Sequence, residues 1–109
     1  MRLRLSPFSK SVGAAALMLA AWPAVAQDSA VLRQQALAAT CANCHGTQGR
    51  AVDGAAVPGL AGMPAPYLIE QLKAFKAGTR PATVMHQLAK GYSDAQVEQI
   101  AAYFAAQKK

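Results

Sequence analysis

No stretch of this 109-residue chain alternates apolar and polar residues as a half-buried strand would, so helix is the regular element that the sequence supports. No segment repeats, and none is low in complexity, which excludes solenoid arrays and disordered tracts. Acidic residues are scarce: five Asp and Glu, all dispersed. No paired carboxylates and no Ser/His/Asp grouping stand out, so no hydrolytic constellation is indicated. The basic residues are scattered too, with no run and no interleaved aromatics, which excludes a nucleic-acid partner. Cysteine is limited to two residues and histidine to two. All four lie in the second and third thirds of the chain, and they carry most of the chemistry that remains.

The N-terminus has a different character from the rest. Arg2, Arg4 and Lys10 form a basic start, and Val12 to Trp22 is an apolar run too short to span a bilayer comfortably. Ala24-Val25-Ala26 follows directly as a small-x-small cleavage site. Residues 1–26 are therefore expected to be a secretory signal peptide, cleaved after Ala26, and 27–109 a single domain exported to the periplasm. Membrane attachment would arise only from an uncleaved leader. Removing 26 of 109 residues leaves 83, and removing three of eleven Lys and Arg leaves eight against five acids, a formal charge of +3. A domain of that size often needs a disulfide, metal or cofactor to complete its core.

The domain is expected to be all-α, with three main helices and a shorter one. The first runs from about Ser29 to Cys41, capped by Asp28 or Ser29, with Leu32, Ala36 and Ala39 along one face. Residues 46–62 are rich in glycine, proline and small residues and read as a loop. Pro66 suits the first turn of a second helix, in which Leu68, Leu72 and Phe75 recur on one side. Gly78 ends it, with Pro81 just beyond. Thr83 to Lys90 is a shorter helical piece. Ser93 and Gln96 then form a capping box, followed by an apolar stripe of Val97, Ile100, Ala101 and Phe104. Lys108 and Lys109 fall at the negative end of that helix.

Cys41-Ala42-Asn43-Cys44-His45 is a C-x-x-C-H sequence, the pattern of covalent haem attachment. Two thiols about one helical turn apart can reach two vinyl groups on one edge of a porphyrin. The adjacent imidazole then lies beneath the ring as an iron ligand. Zinc would need more ligands than His86 supplies. A thioredoxin-like pair would need a strand setting that is absent. A disulfide across two residues would close too short a loop to stabilise much. One motif implies one haem.

Three residues are candidates for the opposite iron face: Met63, Met85 and His86. Met85 lies forty residues beyond His45, after the second helix, where the chain can return across the haem. Met63 precedes that helix. Either methionine can equally be a core filler, and His86 an ordinary surface imidazole.

The export signal, the early C-x-x-C-H, the Pro58-Gly59-Leu60 run and Met85 ahead of a last amphipathic helix together resemble a class I c-type cytochrome. Gly78-Thr79-Arg80 and the stretch from Val84 through His86 and Leu88 to Tyr92-Ser93 are similar to the cytochrome subunit of flavocytochrome c sulfide dehydrogenase and related short periplasmic cytochromes. The resemblance implies the class I fold wrapped around one covalent haem c. It implies Met85 as the second axial ligand, with the Pro58 carbonyl accepting from His45, Leu60 packing on the haem and Arg80 partnering a propionate. Tyr67 and Tyr92 are expected near the haem or between helices, and Tyr103 in the core. Many subunits of that dehydrogenase carry two haem motifs, where this chain has one.

The expected function is that of a one-electron carrier with His/Met ligation, acting by transient encounters with redox proteins through an uncharged surface near Ala42, Gly46 and Gln48. The alternative is an electron-accepting subunit bound to a flavoprotein. A haem sensor ranks third.

Overall fold

The computed structural model describes residues 28–109. The expected leader and its cleavage point after Ala26 lie outside the described residues. Four α-helices follow in order: α1 (Ser29–His45), α2 (Ala65–Ala77), α3 (Met85–Leu88) and α4 (Asp94–Ala105), with 3-10 turns at Thr47–Gly49 and Ala89–Gly91. Among the described residues there is no strand. None of their helices is long and apolar enough to cross a membrane.

α1 starts where the Asp28 carboxylate accepts from the Ala30 N–H at 3.0 Å. It continues four residues past the expected end at Cys41, so the whole C-x-x-C-H run is helical. Gly46 stops it at φ 86°, a conformation that side chains resist, and returns its N–H to the Ala42 carbonyl at 2.9 Å. The expected apolar face is corrected: Leu32, Ala36 and Ala39 are exposed, whereas Ala38 and His45 are buried and Leu37 and Cys41 partly so. An alanine-rich helix carries little phase information, and here the residues that must face inward set the phase.

α2 follows the expected plan, with Pro66 in its first turn and Gly78 left-handed at φ 78° beyond its end. The third helix is shorter than Thr83–Lys90, since α3 spans only Met85–Leu88 before tightening into a 3-10 turn. α4 begins with the capping box: Gln96 N–H donates to Ser93 Oγ at 3.2 Å, and Ser93 N–H donates to Gln96 Oε1 at 2.9 Å. It ends at Ala105, so Lys108 and Lys109 lie past its last turn, where the Lys108 carbonyl accepts from Arg50 Nε at 2.8 Å.

The central cluster joins Ala38 of α1, Leu68 of α2, and Ile100, Ala101 and Phe104 of α4. α4 packs on both α1 and α2, while α3 packs chiefly on α2. Burying a side chain such as Phe104 stabilises the fold by about 1.5–3 kcal/mol. The cluster is small because a cavity occupies the space beside it.

Candidate functional site

That cavity has a volume of about 350 Å³. Its walls come from the end of α1, residues 57–63, the inner side of α2, α3, Tyr92, and Ile100 and Phe104 of α4. Leu72 and Phe75, on the expected apolar side of the second helix, face this space. Both are only partly buried, since the cavity lies beside them; Leu72 also packs against the central cluster.

Cys41, Cys44 and His45 line one wall together. Cys44 is exposed and Cys41 partly buried. Burial pushes the Cys41 thiol above its ordinary range, its hydrogen bond with Thr40 pulls it down, and nearby Cys44 raises it again. Thioether formation would abolish that titration. His45 is buried, and its Nδ1 lies 2.6 Å from the Pro58 carbonyl oxygen. A carbonyl can only accept, so Nδ1 carries the proton and Nε2 keeps the lone pair available to a metal.

The loop after His45 brings Pro58 to it. Gly49 adopts φ 78°, and its carbonyl accepts from the N–H groups of Leu60 at 2.8 Å and Ala61 at 3.1 Å. This folds residues 58–61 back beneath α1. Leu60 thereby joins the cavity lining.

Met85 enters the cavity lining from α3, and Met63 does so from the loop before α2. His86 is not among the lining residues; its Nδ1 is buried without a hydrogen-bond partner. Arg80 lies at the cavity edge, where its guanidinium stacks 4.6 Å over the Phe75 ring and its Nη1 donates to Gln71 Oε1. Tyr67 and Tyr92 line the cavity. Tyr103 does not; it meets Phe104 edge-on with ring centroids 5.2 Å apart, in the core as expected.

Residues missed by the sequence reading are Gln71 and Thr40, together with the role of Phe75 beside Arg80. Gln71 and Phe75 orient Arg80, and Thr40 receives the Tyr92 hydroxyl at 2.6 Å. Gln71 lies four residues before Phe75 on α2, so helical phase would have brought it out. Nothing local marks Thr40.

The surroundings suit a haem. A largely hydrocarbon cavity carries two thiols and an imidazole on one wall, thioethers elsewhere, and a guanidinium at its edge. These match a flat apolar macrocycle with two vinyl groups, an iron and carboxylate side chains.

The family model for cytochrome c matches residues 32–108. The chain belongs to the cytochrome c family. A cytochrome c domain holds haem c covalently and serves electron transfer, and this one has Cys41 and Cys44 in the attachment spacing. The chain is 38% identical over 98 residues to the "Thiosulfate dehydrogenase electron acceptor" of Thiomonas intermedia, covering 90% of this chain and 44% of that one. It is 39% identical over 72 residues to the "Cytochrome subunit of sulfide dehydrogenase" of Chlorobaculum tepidum, covering 66% of this chain and 64% of that one. Cytochrome c-554(548) of Halomonas halodenitrificans is 39% identical over 72 residues, with 63% of this chain and 86% of that one covered. The chain thus spans less than two thirds of the first two relatives. A solved cytochrome c4 of Acidithiobacillus ferrooxidans matches with a TM-score of 0.64 and 30% identity, over 76% of this chain and 52% of that one. The helical arrangement is therefore the class I cytochrome c fold, as the sequence resemblance implied.

Proposed function

We propose that this cytochrome is a periplasmic one-electron carrier whose haem is attached through Cys41 and Cys44 and whose iron lies between His45 and Met85. When bound, haem supplies a one-electron ferric/ferrous couple. The observation that carries the ligand reading is the placement of His45 and Met85 on separate walls of one cavity, with His86 outside it. With both axial positions filled, no site is left for a substrate, which favours a carrier over an enzyme or sensor.

The remaining residues tune and hold. The Pro58 carbonyl fixes the His45 tautomer and makes Nε2 more basic. Leu60 would pack on a bound ring, and Arg80, already oriented by Gln71 and Phe75, would balance a propionate. The apolar lining lowers the local dielectric and raises the reduction potential. Export would be directed by residues 1–26.

A second reading is favoured by the printed names of two relatives, an electron acceptor of thiosulfate dehydrogenase and a subunit of sulfide dehydrogenase. In it the cytochrome docks stably on a flavoprotein or another sulfur-oxidising dehydrogenase. A stoichiometric partner on purification supports this; a monomer on size exclusion at working concentration refutes it.

The ligand reading is tested optically. Oxidised protein shows the weak red charge-transfer band of a Met–iron bond, and Met85→Ala abolishes it. Persistence of the band in Met85→Ala would transfer the role to Met63. Rapid carbon monoxide binding by the reduced native protein would favour the sensor reading instead.

A further inference from the structure

The segment carrying Met85 has little to hold it in place by itself. α3 is four residues long and has no side-chain N-cap; Val84 just before it and Leu88 at its end are 53% and 52% exposed. A helix this short is not self-sustaining. Its packing is chiefly on α2, whereas the cysteines and His45 belong to α1.

The anchor lies at the far end of the segment. Tyr92 OH is 2.6 Å from Thr40 Oγ1, across 52 residues of sequence. The Thr40 hydroxyl gives its single proton to the Leu37 carbonyl at 2.6 Å, so Tyr92 is the donor. Thr40 immediately precedes Cys41, so this bond ends on the turn of α1 that begins the haem-attachment motif. The Tyr92 carbonyl is held from the other side by Lys76 Nζ at 2.7 Å, and the same ammonium lies 3.5 Å from Asp94 Oδ1. Among the described residues, Tyr92–Thr40 is the one side-chain hydrogen bond that joins α1 to the segment from Met85 to Tyr92.

We propose that Tyr92 is a positioning residue for Met85. Its hydroxyl, bonded to Thr40, keeps the Met85-bearing segment closed against the cysteine-bearing wall. It thereby disfavours the open form in which an outside ligand can take the iron position opposite His45. This rests on the reading of Met85 as an iron ligand. A neutral hydrogen bond present in the closed form and broken in the open one biases the equilibrium by roughly two- to tenfold. Tyr92→Phe retains the ring in the cavity wall and removes only the donor.

The experiment is titration of the oxidised holoprotein with imidazole, followed by absorbance. Tyr92→Phe and Thr40→Val are each expected to bind imidazole about two- to tenfold more tightly, the factor set by one such bond. The double variant should bind no more tightly than either single one, since both remove the same interaction. Thr40→Ser, which keeps the hydroxyl, should bind as the native protein does. Met85→Ala is run alongside and should bind imidazole far more tightly, because nothing competes. Native affinity in Tyr92→Phe and Thr40→Val, beside tight binding by Met85→Ala, overturns the positioning role and leaves the ligand reading standing. Native affinity in Met85→Ala overturns both. If Tyr92→Phe fails to retain haem, Thr40→Val and Thr40→Ser decide the matter by the same comparison.

Discussion

Gly49→Ala has a cost that the structure fixes closely, because Gly54 supplies the control. Both glycines sit at φ 78°. Placing a Cβ in that left-handed conformation costs about 1–2 kcal/mol at either site. At Gly54 nothing lies within 4 Å of the added carbon, so the conformational cost is all there is. At Gly49 the carbon would fall 2.7 Å from Phe104 Cδ1 and 2.8 Å from the Ala61 nitrogen. Neither neighbour yields readily: Phe104 is 1% exposed, and Ala61 donates its N–H to the Gly49 carbonyl. Overpacking of this kind adds about 1–3 kcal/mol. Gly54→Ala should therefore destabilise by about 1–2 kcal/mol, and Gly49→Ala by about 2–5 kcal/mol. Guanidinium unfolding of the two holoproteins, followed by far-UV circular dichroism, measures the difference. Equal costs would refute the packing described around Phe104. A second readout ties the loop to the site. The Gly49 carbonyl anchors Leu60 and Ala61, next to Pro58. Displacing them loosens the His45–Pro58 bond and makes the imidazole less basic, so the reduction potential should rise in Gly49→Ala and stay level in Gly54→Ala.

Ser93→Ala removes the acceptor of the Gln96 N–H and should cost about 1 kcal/mol in guanidinium unfolding, with the Met–iron band unchanged. Arg80→Gln removes a cation from the cavity edge; oxidised iron is then less disfavoured, and the potential should fall by on the order of tens of millivolts in a voltammetric titration. Asn43, Thr47 and Gln48 are exposed and uncharged beside the attachment motif, with the Arg50 guanidinium on Gln48 as a neighbouring cation, so electron exchange with a small redox protein should change only modestly between low and high salt in stopped flow. A steep salt dependence would place docking elsewhere.

Features determined by neighbours in sequence were legible before the structure. The Ser93–Gln96 capping box, the Gly78 stop and the C-x-x-C-H motif each act within a few residues, and all appear where expected. The phase of α1 was not, because alanine is equally at home on either face; Leu32 is 47% exposed, and Ala38 is buried instead. The end of that helix was also missed, since nothing before Gly46 breaks it. The stripe of Leu68, Leu72 and Phe75 was identified correctly, but apolar periodicity does not say whether a face meets protein or a cofactor cavity. Only Leu68 is buried by helices. The Tyr92–Thr40 and Arg80–Gln71 contacts depend on how α1, α2 and the segment after α2 converge, and no local pattern reports that.

α4 supplies no candidate ligand, yet it governs the distance between those that exist. α1 and α2 both pack on it, and α3 reaches the rest of the fold mainly through α2. His45 and Met85 therefore stand on two walls whose separation is set by a third helix. In the shared cluster, α1 contributes Ala38 and α4 contributes Ala101, side chains small enough to let two helices approach closely. Leu68 of α2 and Ile100 and Phe104 of α4 are bulky, and all three also line the cavity. Close packing on one side and large side chains on the other leave the open space between α1 and α2, where the thiols, imidazole and thioether converge. The Tyr92–Thr40 bond, one residue before the Ser93 cap of α4, adds to this frame: among the described residues it is the one side-chain hydrogen bond between α1 and the Met85 segment, and it holds the two walls together at the cavity's own rim.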